Sequence, residues 1–413
     1  MTQINRLTLD NGIRVVHTCD SATAMVALNV LVDTGARDER PDRTGLAHLM
    51  EHLMFGGSAN VPDFDKAIED AGGYNNAFTS SDFTNYYSVA PAQNAETLFW
   101  AESDRFLAPA FTASTIEVQR SVVIEEFKQT SLNRPYGDMS HLLRGLVYER
   151  HPYRWPVIGL TPDHIAATER NDILEFFETN YSPERLIVAV TGRISWDDCR
   201  RLATKWFGSI PARPAPRRNL PEEPAQTSPR QLTVQRQVPQ TAITVAYPMA
   251  AYGHKGYREA DIITDLLAAG RSSRFYRRLM LGTELFTEVD ASIIGSEDPG
   301  YLMLNAKLRH NTDDDIAAAL QLLTDEAGQL AIPGNITDEE MQRCRNRYES
   351  SFRFGLIDYL SLAQNIAMAE YHGLDINHTV DRYRAVSADD VAATAASLFR
   401  PENSNTLIYR PQA

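Results

Sequence analysis

The sequence has few cysteines, no long apolar run and no excess of positive charge. Its three cysteines, Cys19, Cys199 and Cys344, are far apart and odd in number in a chain of 413 residues. This spacing argues against a disulfide framework and against a cysteine-based metal site. No apolar stretch approaches the roughly 20 residues that a membrane helix needs, and the N-terminal residues lack the character of a signal peptide. We therefore expect reduced thiols, no membrane span and a cytoplasmic location, or a periplasmic one if a signal peptide has been removed.

Net charge and chain length further limit the class of protein and the number of domains. Acidic residues number 54 against 40 basic ones, which gives a formal net charge of −14. Binding to nucleic acid relies on clustered Lys and Arg, so nucleic acid is not an expected partner. A chain of this length is too long for one ordinary core and suits two domains of roughly 200 residues each.

The order of local patterns indicates an α+β fold. Residues 6–18 alternate around Asp10-Asn11-Gly12, which is typical of a β-hairpin with a type I′ turn. Strand-like stretches at 25–32, 74–80, 84–90 and 186–191 are interspersed with helical patterns at 63–71, 93–106 and 115–130. Because strands and helices do not alternate strictly, we expect an antiparallel sheet with helices packed on it.

The second half of the chain resembles the first. The dipeptide Gln119-Arg120 returns as Gln342-Arg343, and Pro183-Glu184 before a terminal strand returns as Pro401-Glu402. Both pairs are separated by nearly the same number of residues, which indicates a duplicated domain. A segment rich in proline and charge between the halves reads as an extended, solvated linker. We therefore expect a first domain at 1–210, a linker at 211–230 and a second domain at 231–413.

The chain contains one constellation typical of metal chemistry. His48 and His52 are four residues apart, with Glu51 between them, in a helical pattern that runs from Thr44 to the Gly56-Gly57 pair. Side chains at i and i+4 lie on one face of a helix, so both imidazoles can reach one zinc ion. Glu51 can then accept a proton from a zinc-activated water. This H-x-x-E-H order is the inverzincin motif, and the second half has no equivalent of it.

A catalytic zinc site needs a third ligand from another element. Glu125 and Glu126 both lie in the helical pattern at 115–130. Periodicity does not choose between them, and two glutamates on a helix are often only a solvated face.

Several motifs together resemble the M16 peptidases, which include pitrilysin, insulin-degrading enzyme and the mitochondrial processing peptidase with its metal-bearing beta subunit. The resemblance covers nearly the whole chain. The chain is similar in length to the bacterial two-domain members of the family. It rests on the hairpin, the H-x-x-E-H segment and four further motifs: Asn76-Ala-Phe-Thr-Ser80, Thr84-Asn-Tyr-Tyr87, Val122-Val-Ile-Glu-Glu126 and His151-Pro-Tyr153. It implies two homologous α+β domains of the LuxS/MPP-like metallohydrolase architecture.

The resemblance also implies roles for individual residues. It makes His48, His52 and Glu126 the zinc ligands and Glu51 the general base. Gln119 stands where the family usually has a glutamate that supports the metal site, and an amide there adds no negative charge.

An edge strand for substrate binding is implied as well. Asn76, Ala77, Phe78 and Thr79 match the strand along which an extended peptide pairs by β-augmentation. Without the resemblance, the same residues would read as an ordinary strand of a sheet.

One departure from the family bears on activity. Active members supply an arginine and a tyrosine, seven residues apart, that stabilise the oxyanion. This chain has Met280 and Thr287 at those positions. The nearby Tyr276 and Arg278 have the wrong order and spacing. We therefore expect a metal-bearing subunit whose partner, a second M16 subunit, supplies Arg and Tyr; a homodimer is the alternative.

Three functions fit these residues. The first is a zinc endopeptidase that cleaves extended or unfolded peptides. The second is a non-catalytic scaffold subunit, for which a degraded metal motif would be expected. The third is a peptide-binding or chaperone-like module with a structural zinc, which would normally require a fourth protein ligand. The intact set of His48, Glu51, His52 and Glu126 favours the first.

Overall fold

The computed structural model describes residues 2–412, which form eleven strands and fourteen α-helices. The strands are β1 Asn5–Thr8, β2 Arg14–Cys19, β3 Met25–Val32, β4 Tyr74–Thr79, β5 Thr84–Pro91, β6 Leu186–Gly192, β7 Arg230–Arg236, β8 Ala242–Pro248, β9 Phe286–Ile294, β10 Tyr301–Leu308 and β11 Asn405–Pro411. The helices are α1 Leu46–Leu53, α2 Phe64–Asp70, α3 Ala95–Leu107, α4 Ala113–Phe127, α5 Met139–Val147, α6 Pro162–Ala166, α7 Arg170–Asn180, α8 Trp196–Trp206, α9 Tyr257–Ala268, α10 Asp313–Gly328, α11 Asp338–Gly355, α12 Tyr359–Tyr371, α13 Thr379–Arg384 and α14 Ala388–Leu398. The strands and helices predicted in the first half are confirmed to within a few residues at their ends.

The chain divides into two compact units that do not follow chain order. The first contains residues 2–128, 155–220 and 351–379, and the second contains 129–154, 221–350 and 380–412. These units differ from the continuous ranges 1–210 and 231–413 in two segments. Each segment carries a helix with an apolar face, α12 in the first unit and α5 in the second, which packs on the sheet of the unit it joins. Burial of that face therefore decides where each segment belongs.

The first unit is built on a six-stranded sheet in the order β1-β2-β6-β3-β5-β4. All neighbouring strands are antiparallel except β2 and β6, which are parallel. The antiparallel sheet expected from the sequence therefore contains one parallel pair, which makes it a mixed sheet. Both faces are covered, by a large apolar cluster that includes α1 and α3 on one side and by α12 on the other. Burial on two faces explains why β3 reads as an almost continuous apolar run.

The second unit repeats this topology. Its five-stranded sheet has the order β7-β11-β8-β10-β9, with β7 and β11 as its one parallel pair. This matches β2-β6-β3-β5-β4 of the first unit strand for strand. The duplicated α+β domain predicted from the sequence is thus confirmed.

The first hairpin has a different turn from the one predicted. Only Gly12 has a left-handed backbone (φ 95°), whereas a type I′ turn needs two such residues. Gly12 N–H donates to Leu9 O at 2.9 Å, and Leu9 N–H donates to Ile13 O. The Asn11 side chain donates to Phe207 O at 2.8 Å. This tertiary contact favours a longer turn over the two-residue one.

The linker is extended, as predicted, but it is not merely solvated. In the first unit, Arg218 forms ion pairs with Asp33 at 2.9 Å and with Asp38 at 2.6 Å. In the second unit, Glu223 accepts backbone N–H groups of Glu149 and Arg150 at 2.7 and 2.9 Å. Charged side chains near the middle of the linker therefore hold it, Arg218 to the first unit and Glu223 to the second.

Candidate metal centre

Helix α1 presents the motif because its apolar residues take the opposite face. Its buried residues Leu46, Leu49, Met50 and Leu53 follow the i, i+3, i+4, i+7 pattern of an amphipathic helix and face the core. His48, Glu51 and His52 are left on the partly exposed side.

The N-terminus of α1 is capped by a residue that the sequence pattern did not reveal. The predicted helical pattern began at Thr44, but the helix begins at Leu46 and Gly45 takes the N-cap position with a left-handed backbone (φ 89°). Glu39 accepts the N–H of Gly45 at 3.0 Å and that of Ala47 at 2.7 Å. The Thr44 hydroxyl instead contacts His164 Nδ1 at 2.8 Å. The helix also ends earlier than expected, at Leu53 rather than at the glycine pair.

Glu39 makes the stability of the protein depend on pH. Burial raises the pKa of its carboxyl to about 8, although the N–H groups of Ala47 and Gly45 oppose the shift. Between pH 4.5 and 8 the folded state therefore keeps a proton that the unfolded state releases, so this carboxyl's contribution to stability falls as pH rises. We expect the stability of the wild type relative to Glu39→Gln to decrease between pH 5 and pH 8 and then to level off. Urea unfolding of both proteins across this range measures the difference. Parallel pH profiles would contradict the assignment.

Three side chains that could hold a metal ion converge between α1 and α4. The rings of His48 and His52 are perpendicular, with centroids 4.8 Å apart. Glu126 Oε2 lies 3.8 Å from His48 Nε2 and 3.5 Å from His52 Nε2. Among residues 2–412 these three form the one group of His, Cys, Asp and Glu whose donor atoms all lie within 4.8 Å of one another. Glu125 is elsewhere, paired with Lys128 at 2.6 Å.

The charges of this group suit a cation. Burial, with a contribution from His52, lowers the pKa of His48 to about 4, so this imidazole is neutral at pH 7. The contact with His52 lowers the pKa of Glu126, so the carboxylate is ionised. Burial acts to lower the pKa of His52, but Glu126 and Glu51 outweigh it and raise that pKa. A neutral imidazole and an ionised carboxylate are the forms that bind metal.

The donor set fits zinc. Two imidazole nitrogens and one carboxylate oxygen are a common zinc combination, and three protein ligands leave a fourth position open. The Glu126 side chain is 40% exposed, so the group lies at the surface of its unit rather than inside the core.

Glu51 is held apart from the three donor atoms. The hydroxyl of Thr79, on β4, donates a hydrogen bond to Glu51 Oε2. Burial raises the pKa of the Glu51 carboxyl, and the Thr79 hydrogen bond opposes that shift. No pattern in the sequence indicates this contact between residues 28 positions apart.

Gln119 lies beside His52, as expected from the family resemblance, which places a residue that supports the metal site at this position. Its Oε1 is 3.3 Å from His52 Nδ1, so the amide can accept the ring N–H and fix the tautomer that leaves Nε2 free. We expect Gln119→Leu to weaken zinc binding about 10- to 100-fold and Gln119→Glu to strengthen it. Competition with a chelating dye measures both. Equal affinities in the three proteins would show that the contact does not tune the metal.

The four residues proposed for substrate binding lie on an edge strand. Strand β4 pairs only with β5 and ends the sheet of its unit. Asn76 and Phe78 are exposed, whereas Ala77 and Thr79 are partly buried on the side of α1.

The ladder between β4 and β5 shows which backbone groups face the free edge. Ser80 N–H donates to Phe83 O at 2.8 Å, and hydrogen-bonded pairs alternate along an antiparallel ladder. Counting back along the strand, Ala77 and Thr79 direct their N–H and C=O groups outward. In agreement, Ala77 N–H donates to the side-chain oxygen of Asn76 at 2.8 Å rather than to β5.

The second unit has a counterpart of helix α1 that lacks the H-x-x-E-H motif. Helix α9 follows β8 as α1 follows β3, and Gly256 precedes it in the same left-handed conformation as Gly45. Counting from these glycines, Glu259, Ile262 and Ile263 take the positions of the motif residues. Glu259 accepts the N–H of Gly256 at 2.8 Å and so serves as a cap.

Met280 and Thr287 are structural in the second unit. Met280 packs against the apolar core. The Thr287 hydroxyl lies 3.3 Å from Lys307 O within the sheet. The Arg278 guanidinium donates a hydrogen bond to the Glu326 carboxylate at 2.9 Å, in agreement with a packing role on the helix surface.

Comparisons with known proteins identify the family. The model described as "Insulinase (Peptidase family M16)" matches residues 14–145, and the model described as "Peptidase M16 inactive domain" matches residues 168–348. The chain belongs to the M16 peptidase family. The second description agrees with the degenerate helix α9.

Relatives of similar length carry zinc protease names. The chain is 24% identical over 412 residues to "Uncharacterized zinc protease YmxG" of Bacillus subtilis, covering 98% of each chain. It is 26% identical to "Zinc protease PqqE" of Helicobacter pylori, covering 98% of this chain and 92% of that one. A solved protease from Helicobacter pylori superposes with a TM-score of 0.90 at 24% identity over the full length of both chains. That structural likeness shows the fold alone.

Proposed function

We propose that this chain is a zinc-dependent endopeptidase that cleaves extended or unfolded peptides. The observation that carries the proposal is the convergence of His48, His52 and Glu126 beside Glu51, next to a free sheet edge. The zinc protease names of the relatives support the choice of metal. When bound by the three residues, zinc would act as a Lewis acid on a water molecule and on the peptide carbonyl.

Glu51 acts as the general base in this proposal. It lies outside the ligand group, and its Oε2 is occupied by the Thr79 hydroxyl. Its Oε1 accepts no hydrogen bond from residues 2–412, so this oxygen can take a proton from the attacking water and pass it to the leaving amine.

The substrate pairs with β4 as an added strand. The outward N–H and C=O groups of Ala77 and Thr79 would bond to its main chain, and Asn76 would release Ala77 N–H at that moment. Main-chain pairing holds any extended sequence, which explains why the proposed substrates are unfolded segments.

The chain is proposed to act as the metal-bearing half of a dimeric peptidase. Oxyanion stabilisation calls for donors aimed at the developing charge, and neither the partly buried Met280 nor Thr287, whose hydroxyl lies against the sheet, provides one. A second M16 subunit would supply Arg and Tyr. A homodimer with altered catalysis is the competing arrangement.

The geometry argues against the two alternative functions. A scaffold subunit has no need of three convergent metal donors with a carboxylate beside them. A structural zinc would need a fourth ligand, and no other His, Cys, Asp or Glu of residues 2–412 joins the group. No helix among these residues is long and apolar enough to cross a membrane, and the cytoplasmic location stays a prediction.

Cleavage of a quenched, unstructured peptide tests the proposal. The zinc-loaded chain is assayed alone, after chelation and after zinc is restored, with Glu51→Gln as the blank. Turnover that is lost on chelation and regained with zinc would support a self-sufficient peptidase. No turnover despite bound zinc would favour an incomplete site and a partner subunit. Turnover that survives chelation would overturn the proposal.

A further inference from the structure

Thr79 lies where the free edge of β4 meets the proposed base. It is the last residue of β4, and its backbone N–H and C=O groups face the open edge. Its hydroxyl points to the side of α1 and donates to Glu51 Oε2. One residue thus contacts both the surface where a peptide would pair and the carboxylate that would act on it.

We propose that Thr79 is a positioning residue for Glu51, an assignment that rests on the proposed peptidase function. A glutamate side chain has three rotatable bonds and would lose its rotamer freedom only through packing or hydrogen bonds. The Thr79 hydroxyl occupies Oε2 and leaves Oε1 to receive the proton. Because the donating hydroxyl belongs to β4, a peptide that pairs with β4 and restricts its motion also restricts the motion of the hydroxyl that holds Glu51.

The position of Thr79 in the fold explains why threonine suits this role. Its β-branched side chain fits a strand and has one preferred direction at χ1, so the hydroxyl is held toward α1 with little loss of entropy. Valine has the same shape without the donor. Serine keeps the donor on a less restricted side chain.

Three substitutions separate the hydroxyl from the shape of the strand. Thr79→Val removes the donor, Thr79→Ser keeps it, and Thr8→Val makes the same change at an exposed position of β1, the opposite edge of the same sheet. We expect Thr79→Val to lower kcat roughly 10- to 100-fold, the range for a hydrogen bond to a charged group. KM and zinc content should stay within about twofold of the wild type. Thr79→Ser should recover most of kcat, and Thr8→Val should leave it unchanged.

Two results would overturn the assignment. An unchanged kcat in Thr79→Val would show that the hydroxyl is dispensable. A raised KM with unchanged kcat would give Thr79 a role in peptide pairing alone. If the wild-type chain has no turnover, the proposed function of the isolated chain fails separately. Crystal structures of the zinc-loaded wild type and Thr79→Val then decide the question, since a single Glu51 rotamer retained in the variant would contradict the positioning role.

Discussion

Replacing Glu51 with Gln is expected to abolish peptide turnover while zinc stays bound. The substitution keeps the size of the side chain and an oxygen that can accept the Thr79 hydrogen bond, but it removes the group that takes the proton. Loss of a general base typically costs about 10²- to 10⁴-fold in kcat. Steady-state cleavage of a quenched peptide, measured beside the zinc content of the same samples, gives both quantities.

Zinc retention is the control that makes this result informative. Glu51 is outside the group formed by His48, His52 and Glu126, so its neutral replacement should leave the metal in place. A variant that loses zinc would show that Glu51 helps to hold the ion, and the division into base and ligands would be wrong. A variant that keeps both zinc and full turnover would show that another group takes the proton.

Replacing Glu126 with Gln is expected to weaken zinc binding strongly, whereas Glu125→Gln should change it less than about twofold. Glu126 Oε2 lies 3.5 Å from His52 Nε2, and its carboxylate is the one anionic donor of the group. Its loss should exceed the 10- to 100-fold typical of residues that only support a ligand. Chelator competition at constant pH measures the affinities, because ligand protonation also changes them.

Glu125 is a matched control on the same helix. It differs by one position, carries the same charge and is 61% exposed in a pair with Lys128. An exposed pair of this kind contributes little to stability, so Glu125→Gln should fold normally and keep its zinc. If Glu125→Gln had the larger effect, the third ligand would be reassigned to Glu125.

Much of helix α1 could be predicted because the sequence pattern that specifies it extends over only a few residues. The spacing of His48 and His52 and the apolar residues between them specify both a helix and the face that each side chain takes. Neighbours three or four positions apart in sequence are neighbours in space on a helix. Strands β2 to β6 were predictable for a similar reason, since their apolar residues alternate or run continuously between turn residues.

Contacts between distant residues could not be predicted in this way. Periodicity left Glu125 and Glu126 equivalent, and only the packing of α4 against α1 brings Glu126 to the histidines. No local pattern indicated that Glu39 caps α1 or that Thr79 contacts Glu51, because a cap six to eight residues upstream and a hydroxyl on another element depend on how loops and sheet are arranged.

The sequence by itself thus determined the fold class, the duplication and the helix that carries the candidate zinc site, because periodicity and motif spacing act over a few residues. Local patterns left open which glutamate joins the histidines, and the family resemblance pointed to Glu126 and to the edge strand at 76–79. The tertiary structure places Glu126 beside the histidines, leaves the edge of β4 unpaired and shows which residue holds Glu51. It also decided that α12 and α5 join units other than those of their sequence neighbours. These outcomes depend on which apolar faces pack against each other. Packing between segments that are distant in sequence leaves no local pattern in the chain.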